Sequence, residues 1–334
     1  MADHPLRIGV LGAARITPMA LLRPARRVPE AAIAAVAARD PQRAHAFAQK
    51  HGIARVHPSY QALLADPEIE AIYNPLPNSL HCEWTIRALE AGKHVLCEKP
   101  IASNSAEAER MATAARRTGR VLMEAFHWRY HPLAARLRAI LDAGEIGTVR
   151  HLETHFCIPL IRPGDIRYRL DLAGGATMDV GCYAISILRF LAAAEPEVVS
   201  AAARLSSPDV DRAMEATFRF ADGRSGRMTC ALLSPVLFRA SARVRGDHGE
   251  LTVLNPIAPQ FLHRVTVRTA AGKRRERVRG DATYTHQLRA FVAAVRSGTP
   301  VPTGPDDAVA NMRVIDAVYA KAGLPLRGVH ATGC

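Results

Sequence analysis

Leu6-Arg7-Ile8-Gly9-Val10-Leu11-Gly12-Ala13-Ala14-Arg15-Ile16 is the stretch that decides the fold. Leu6 to Leu11 form a short apolar run with the pattern of a strand, and Gly9-x-x-Gly12-x-Ala14 turns it tightly. Arg15-Ile16-Thr17-Pro18 follows, and proline is well tolerated where a helix begins. Small residues in such a turn let the backbone approach a pyrophosphate, which rests on the N–H groups and positive dipole end of the helix. The glycine spacing departs from the usual dinucleotide fingerprint, so the pattern draws its force from lying on the first strand of the chain.

Downstream, Ala31 to Ala38 reads as a second apolar strand, closed by Arg39-Asp40-Pro41 and followed by a helix through His51 that stops at Gly52. The end of this strand reads the adenosine ribose in a dinucleotide-binding fold. A carboxylate there accepts from a 2′-hydroxyl, whereas an arginine pairs with a 2′-phosphate, so Arg39 points to NADP rather than NAD. Asp40 reads as a helix N-cap with Pro41 in the first helical position. Ser59 caps a short helix through Ala65, and Ile69 to Tyr73 forms another strand. It exits through Asn74-Pro75-Leu76-Pro77-Asn78 into a helix over residues 79–91.

The next strand, His94 to Cys97, delivers Glu98-Lys99-Pro100. Proline has no N–H to donate and ends the ladder, which leaves Lys99 on the carboxyl edge of the strand, where ligands bind in an open parallel sheet. A helix from Ser103 to Thr118 and a strand from Val121 to Ala125 complete the alternation. Helices between successive strands require a mostly parallel, doubly wound sheet.

From Phe126 the character changes. Phe126 to Pro132 is dense in aromatic and hydrogen-bonding side chains and reads as a junction. Asp179 and Tyr183 stand four apart on an otherwise apolar helix opened by Gly174-Gly175, so they share a face as either a core pair or a ligand-facing pair. Met214, Ala216, Phe218 and Phe220 alternate with polar residues, as do Ala240, Ala242 and Val244, which predicts an antiparallel sheet with one open face. A second copy is expected to cover that face in a homodimer or homotetramer. The expected division is a Rossmann dinucleotide-binding domain over residues 1–125 and an α+β substrate-binding and oligomerisation domain over 126–334, with the C-terminal helix packing back on the first.

At 334 residues, with 49% hydrophobic and 22% charged residues, the chain has the composition of a two-domain globular protein. The formal charge of +13 raises nucleic acid and membrane surfaces as partners, but the arginines are scattered and no recognition motif accompanies them, so neither partner is expected. The densest basic run, Lys273 to Arg277, reads as a solvated hairpin end. The six cysteines show no CxxC pair and no metal-ligand spacing, which predicts reduced thiols, no metal site and a cytoplasmic location. The N-terminus lacks a signal-peptide pattern, and no apolar run is read as reaching the roughly 20 residues that span a bilayer.

Gly9-x-x-Gly12-x-Ala14, Glu98-Lys99-Pro100 and Gly174-Gly175 to Asp179-Val180-Gly181-x-Tyr183, in this order, resemble the Gfo/Idh/MocA family of NAD(P)-dependent oxidoreductases over most of the chain. Tyr183 stands where many relatives carry histidine, as in the glucose-fructose oxidoreductase, dimeric dihydrodiol dehydrogenase, D-xylose dehydrogenase and sugar 3-ketoreductase branches, which mostly use NADP. The resemblance implies a catalytic group of Lys99, Tyr183 and Asp179. It implies cofactor contacts from Gly9, Gly12, Ala13, Ala14, Arg15, Ile16, Arg39, Leu76, Asn78, His81, Glu98, Lys99 and Arg129. His127, Arg162, Arg167, Tyr168 and His286 are candidate substrate contacts.

Hydride transfer to or from a carbinol carbon needs a proton to move on the oxygen. A lysine titrating near 10.4 must drop by about 4 kcal/mol of differential stabilisation to act as a base near neutrality, whereas a tyrosine beside an ammonium can donate instead. Both assignments stand at this level. The expected substrate is a sugar or related cyclic polyol. The alternatives are a nucleotide-activated keto-sugar, favoured by the arginines from Arg162 to Arg169, and a non-catalytic NADP-sensing regulator, against which Lys99 and Tyr183 both argue.

Overall fold

The computed structural model describes residues 4–162, 164–234 and 237–328. It forms two compact units. One takes in residues through Tyr130 together with Ala282–Val309, and the other takes in His131–Asp281 and residues from Ala310 onward. This differs from the expected break after residue 125: the turn His127–Tyr130 and a late helix belong to the first unit. Burial explains the placement, because Tyr284, Leu288, Phe291 and Val292 share one core cluster with Val10, Tyr73 and Leu96.

The first unit is a six-stranded parallel sheet of β1 (Leu6–Leu11), β2 (Ala31–Ala37), β3 (Arg55–His57), β4 (Ala71–Asn74), β5 (His94–Cys97) and β6 (Leu122–Glu124) in the order β3-β2-β1-β4-β5-β6. The winding reverses between β1 and β4, so the loops after these two strands flank the crevice where such sheets bind ligands. After the glycine turn the chain makes a wide π-type turn, Pro18–Leu22, before the single turn α1 (Arg23–Ala25). Local sequence sets the other helices. Asp40 caps α2 (Pro41–His51), which ends on left-handed Gly52; Ser59 caps α3 (Tyr60–Ala65). Then come α4 (Asn78–Glu90) and α5 (Ser105–Thr118), the latter capped by Asn104 and ended by Gly119.

The second unit opens with α6 (Pro132–Asp142) and carries an eight-stranded sheet. Its strands are β7 (Val149–Cys157), β8 (Glu197–Ser207), β9 (Val210–Arg219), β10 (Ser225–Ala231), β11 (Arg239–Gly246), β12 (Gly249–Leu254), β13 (Arg264–Thr269) and β14 (Gly272–Glu276), in the order β14-β13-β12-β11-β7-β10-β9-β8. Only β7 and β10 run parallel; the other pairs are antiparallel. Met214, Ala216 and Phe218 point into the core while Glu215, Thr217 and Arg219 are exposed, the alternation the sequence displays.

A π-type turn, Thr177–Gly181, leads into α7 (Cys182–Ala192), which packs against β7, β10 and β11 with nearly every residue buried. The stretch Leu170–Ala192 is in fact long and apolar enough, by length and composition, to cross a membrane, which corrects the reading of apolar runs above. With 89% of its apolar window buried inside the protein, it is a core helix. The last helices are α8 (Thr283–Ser297) of the first unit and α9 (Pro305–Lys321), within which the division between units falls.

Candidate active site

At the end of β1, Gly12 adopts φ 81°, a conformation open to glycine without strain, and its N–H bonds Ala37 O at 2.6 Å, fastening β1 to β2. Gly9 does a different job from the cofactor contact expected of it. A Cβ there would lie 3.0 Å from Leu63 Cδ1 and 3.2 Å from Ile69 and Ile72, so this glycine lets α3 and the β4 strand pack onto β1. Beyond Gly12 the N–H groups of Ala13, Ala14 and Ile16 make no hydrogen bond with any described residue, and neither does the wholly buried Thr17 hydroxyl. Buried polar groups are almost always satisfied, and a row of N–H donors where a helix starts is what a pyrophosphate engages. The residues here fit a dinucleotide. Arg15 is exposed at the same turn.

Arg39 follows β2 and is exposed. Asp40 is the helix cap, accepting from Gln42 N–H at 2.9 Å and Arg43 N–H at 3.3 Å, which removes it from ribose binding. Two neighbours of Arg39 escaped the sequence reading. The Tyr60 phenol is raised by burial and pulled back by the Arg39 backbone and then by the charges of Arg39 and Arg43, so both guanidinium groups bear on it. Its hydroxyl lies 3.8 Å from where a Cβ on Gly12 would be. Tyr60 thus lies beside the glycine turn within the influence of both arginines, and neither arginine forms an ion pair with a described carboxylate. The available signal was Arg43 four residues after Arg39, across the cap.

After β4, Asn74 Oδ1 accepts from Leu76 N–H at 3.3 Å, and Asn78 is the first, half-buried residue of α4. His81 is 0% exposed, with Nδ1 2.9 Å from Pro100 O and Nε2 2.7 Å from Leu76 O. It braces the loops after β4 and β5 and presents no face to a nicotinamide, which corrects its assignment as a cofactor contact. Burial, aided by the Lys99 charge, outweighs these carbonyl contacts and lowers the ring to about 4, so it is neutral at pH 7 and its single proton serves one carbonyl at a time.

The Lys99 loop is pinned residue by residue. Glu98, 8% exposed, accepts from the Tyr73 hydroxyl at 2.7 Å through Oε1 and from Lys99 N–H at 3.3 Å through Oε2. His81 holds the Pro100 carbonyl, and Glu124 Oε1 accepts from Ile101 N–H at 2.8 Å. Three buried side chains thus hold backbone groups of three consecutive residues, Lys99, Pro100 and Ile101, and Lys99 projects from a preorganised turn. His127 is buried with Nδ1 2.8 Å from Thr283 Oγ1 and its ring centroid 4.0 Å from that of Tyr284, the two rings tilted by 36°; burial, with the Lys99 charge, lowers it to about 3. Arg129 lies over the Trp128 ring at 5.6 Å, and His286 is half-buried in the first turn of α8.

These two buried histidines make a prediction. An unfolded chain protonates them below about 6.5, whereas the folded rings stay neutral to about 4 for His81 and about 3 for His127. Their folded values are depressed, so the stability they confer is full above pH 6.5 and is lost as pH falls toward 4. Two protons taken up on unfolding correspond to a slope of roughly 3 kcal/mol per pH unit in that window. Denaturant titrations at pH 7, 6 and 5 should show the decline, and a flat profile over that range would refute it.

In the second unit Asp179 lies in the π-type turn and Tyr183 in the first turn of α7, its ring edge-on to Phe156 at 5.5 Å. Arg167 is not free to meet substrate, as expected of it: Nε donates to Asp179 Oδ2 at 2.7 Å and Nη1 to Asp165 Oδ1 at 3.1 Å. It is the counter-ion that aims Asp179. Arg169 is paired with Asp171, Arg162 is exposed, and the Tyr168 hydroxyl donates to Leu160 O at 3.0 Å. The arginine group read as a diphosphate site is therefore largely neutralised. Gly174 and Gly175 N–H bond the carbonyls of Arg169 and Arg167, each at 2.8 Å, and the buried pair Asp211 and Arg327 fastens this loop from behind.

Residues 6–126 match the family described as "Oxidoreductase family, NAD-binding Rossmann fold", and residues 134–252 match the "GFO/IDH/MocA C-terminal domain". The chain is 36% identical to an uncharacterized oxidoreductase of Rhizobium meliloti, covering 95% of this chain and 97% of that one. It is 35% identical to D-xylose 1-dehydrogenase (NADP(+)) 2 of Haloferax volcanii, again over 95% and 97%. Among solved structures, KijD10, a 3-ketoreductase from Actinomadura kijaniata in complex with NADP and TDP-benzene, superposes with a TM-score of 0.88 at 31% identity, covering 95% of this chain and 98% of that one.

Proposed function

Because this chain belongs to the Gfo/Idh/MocA family of oxidoreductases, we propose that it is an NADP-dependent enzyme acting on a sugar or related cyclic polyol, with Lys99 and Tyr183 as the acid/base pair and Asp179 orienting them. The observation that carries this reading is Lys99 on a triply pinned turn at the carboxyl end of β5, one strand beyond the crevice between β1 and β4. Bound NADP supplies or accepts the hydride at nicotinamide C4. The protein's part is to hold and to move a proton. Ala13, Ala14 and Ile16 N–H groups hold the pyrophosphate, while Arg39 and Arg43 flank the 2′-phosphate. Lys99 and Tyr183 exchange the proton of the reacting hydroxyl, and Asp179, kept in place by Arg167, fixes their orientation.

Two relatives support NADP by name, the D-xylose dehydrogenase and the NADP-bound ketoreductase. Arg39→Ala should weaken NADP(H) by roughly 10- to 100-fold and leave NAD(H) nearly unchanged, the usual worth of a charged hydrogen bond. Fluorescence titration of both cofactors checks this, and an equal loss for both would remove Arg39 from the 2′-phosphate. The reading as a whole is tested by following NADP(H) absorbance over aldoses, ketoses, inositols and diols. Failure to bind NADP(H) would overturn it.

A second reading, reduction of a nucleotide-linked keto-sugar, is favoured by the TDP-benzene held by the similar ketoreductase. It gains nothing from Arg167 and Arg169, which are spent on carboxylates.

A further inference from the structure

We propose that Thr303, in the loop between α8 and α9, is a positioning residue for the Lys99 turn and acts on it through Glu124. This deepens the reading above and rests on it for the part Lys99 plays in proton transfer. Every residue concerned belongs to the first unit.

β6 is three residues long and lies at one edge of the parallel sheet, paired there with β5. The pairing uses the Val121 carbonyl, which accepts from Val95 N–H at 2.8 Å, and the Ala125 N–H, which donates to Cys97 O at 2.8 Å. Alternate residues of a strand turn their polar groups to opposite sides, so Glu124 directs its N–H and carbonyl away from β5. At a sheet edge such groups meet no further strand. Thr303 serves both of them. Its carbonyl accepts from Glu124 N–H at 2.9 Å, and its hydroxyl donates to Glu124 O at 2.7 Å. Since a hydroxyl has one proton, the 2.6 Å contact with Tyr130 has the phenol as donor and Thr303 Oγ1 as acceptor. Thr303 is 0% exposed, and Pro302 before it and Pro305 two residues on restrict the loop that presents it.

The clamp matters for what Glu124 does next. Its carboxylate, almost wholly buried, accepts from Ile101 N–H two residues beyond Lys99. Of the three side chains that hold the Lys99 turn, Glu98 follows the inner strand β5 and His81 stands on α4, whereas Glu124 ends the edge strand. It is therefore the one whose backbone needs a partner from outside the sheet. Misplacing a reacting group by about 1 Å can cost roughly 100-fold in rate, so a clamp on Glu124 is felt at the Lys99 ammonium.

The test compares Thr303→Val, which keeps the shape and the backbone bond but removes the hydroxyl, with Thr303→Ser, which restores it. Thr303→Val should lower kcat roughly 10- to 100-fold while KM and NADP(H) affinity stay within about threefold, and Thr303→Ser should return kcat to within about threefold of the parent. Amide exchange at Ile101 should quicken in Thr303→Val, with that at Val10 in the inner strand β1 unchanged. Because the effect runs through Lys99, adding Thr303→Val to Lys99→Ala should cost less than about a further twofold. Thr303→Ala removes the same hydroxyl without burying a methyl group against the Glu124 carbonyl, and carries the same expectations if the valine variant does not fold. Parental kcat without the hydroxyl, or a fully additive loss on top of Lys99→Ala, overturns the inference and leaves the oxidoreductase reading standing. Near-parental turnover of Lys99→Ala would overturn the acid/base reading and this inference together.

Discussion

Lys99→Ala is expected to lower kcat by roughly 100- to 10,000-fold, the usual contribution of a positioned proton-transfer group, while NADP(H) affinity changes by less than about threefold. The expectation follows from how the loop is built. Glu98, His81 and Glu124 hold the backbone on either side of Lys99, so truncating its side chain leaves the turn in place and removes only the ammonium. The loss should therefore fall on kcat, since proton movement is a transition-state event, and not on the dissociation constant of the cofactor. Tyr183→Phe separates the two roles. A tyrosine that itself delivers the proton makes its removal as damaging as that of Lys99, and the effects of the two replacements combine far below additively. A tyrosine that only binds the hydroxyl raises KM and spares kcat. Turnover of Lys99→Ala within about tenfold of the parent would take Lys99 out of the proton transfer altogether.

The features legible in the sequence are those encoded locally. Caps such as Asp40, Ser59 and Asn104, the stops at Gly52 and Gly119, and the Gly12 turn depend on residues within four positions of one another. Lys99 was legible because a strand and a proline fix its place on the sheet edge. The role of Gly9 was not, since it is set by Leu63 and Ile69, more than fifty residues away. His81 resembled a ligand-facing residue until its partner Pro100, on the next strand's loop, gave it a structural task. Arg162 to Arg169 looked like a cationic patch because a one-dimensional count cannot see Asp179 and Asp171 neutralising Arg167 and Arg169. Arg43 was passed over because only the fold brings its charge to bear on Tyr60.

The largest effect on stability should come from a pair that no local pattern connects. Asp211 and Arg327 are both 0% exposed and 116 positions apart. Asp211 Oδ1 accepts from Arg327 Nη2 at 3.0 Å and from the Tyr319 hydroxyl at 2.9 Å; Oδ2 accepts from Thr177 N–H and its hydroxyl, each at 2.7 Å. Arg327 also donates from Nε to Gly174 O at 2.8 Å and lies over the Tyr319 ring at 4.0 Å. Every lone pair of the carboxylate is thus used, and Gly175 beside it has no room for a side chain, since a Cβ there would fall 2.2 Å from Asp211 Oδ1. Arg327→Met leaves a buried carboxylate without its counter-charge and the Gly174 carbonyl without its donor. Breaking one partner of such a pair costs about 3–5 kcal/mol, because the remaining charge stays desolvated. Asp211→Asn strands the guanidinium in the same way. The double replacement removes both charges, so its cost should fall below the sum of the single costs, and a denaturant-monitored cycle measures the difference. Strict additivity, or single losses under about 1 kcal/mol, would mean that solvent reaches the pair. Because Gly174 and Gly175 hold the carbonyls of Arg169 and Arg167, loosening this anchor also frees the loop that aims Asp179, and kcat should fall in Arg327→Met even under conditions where the protein remains folded.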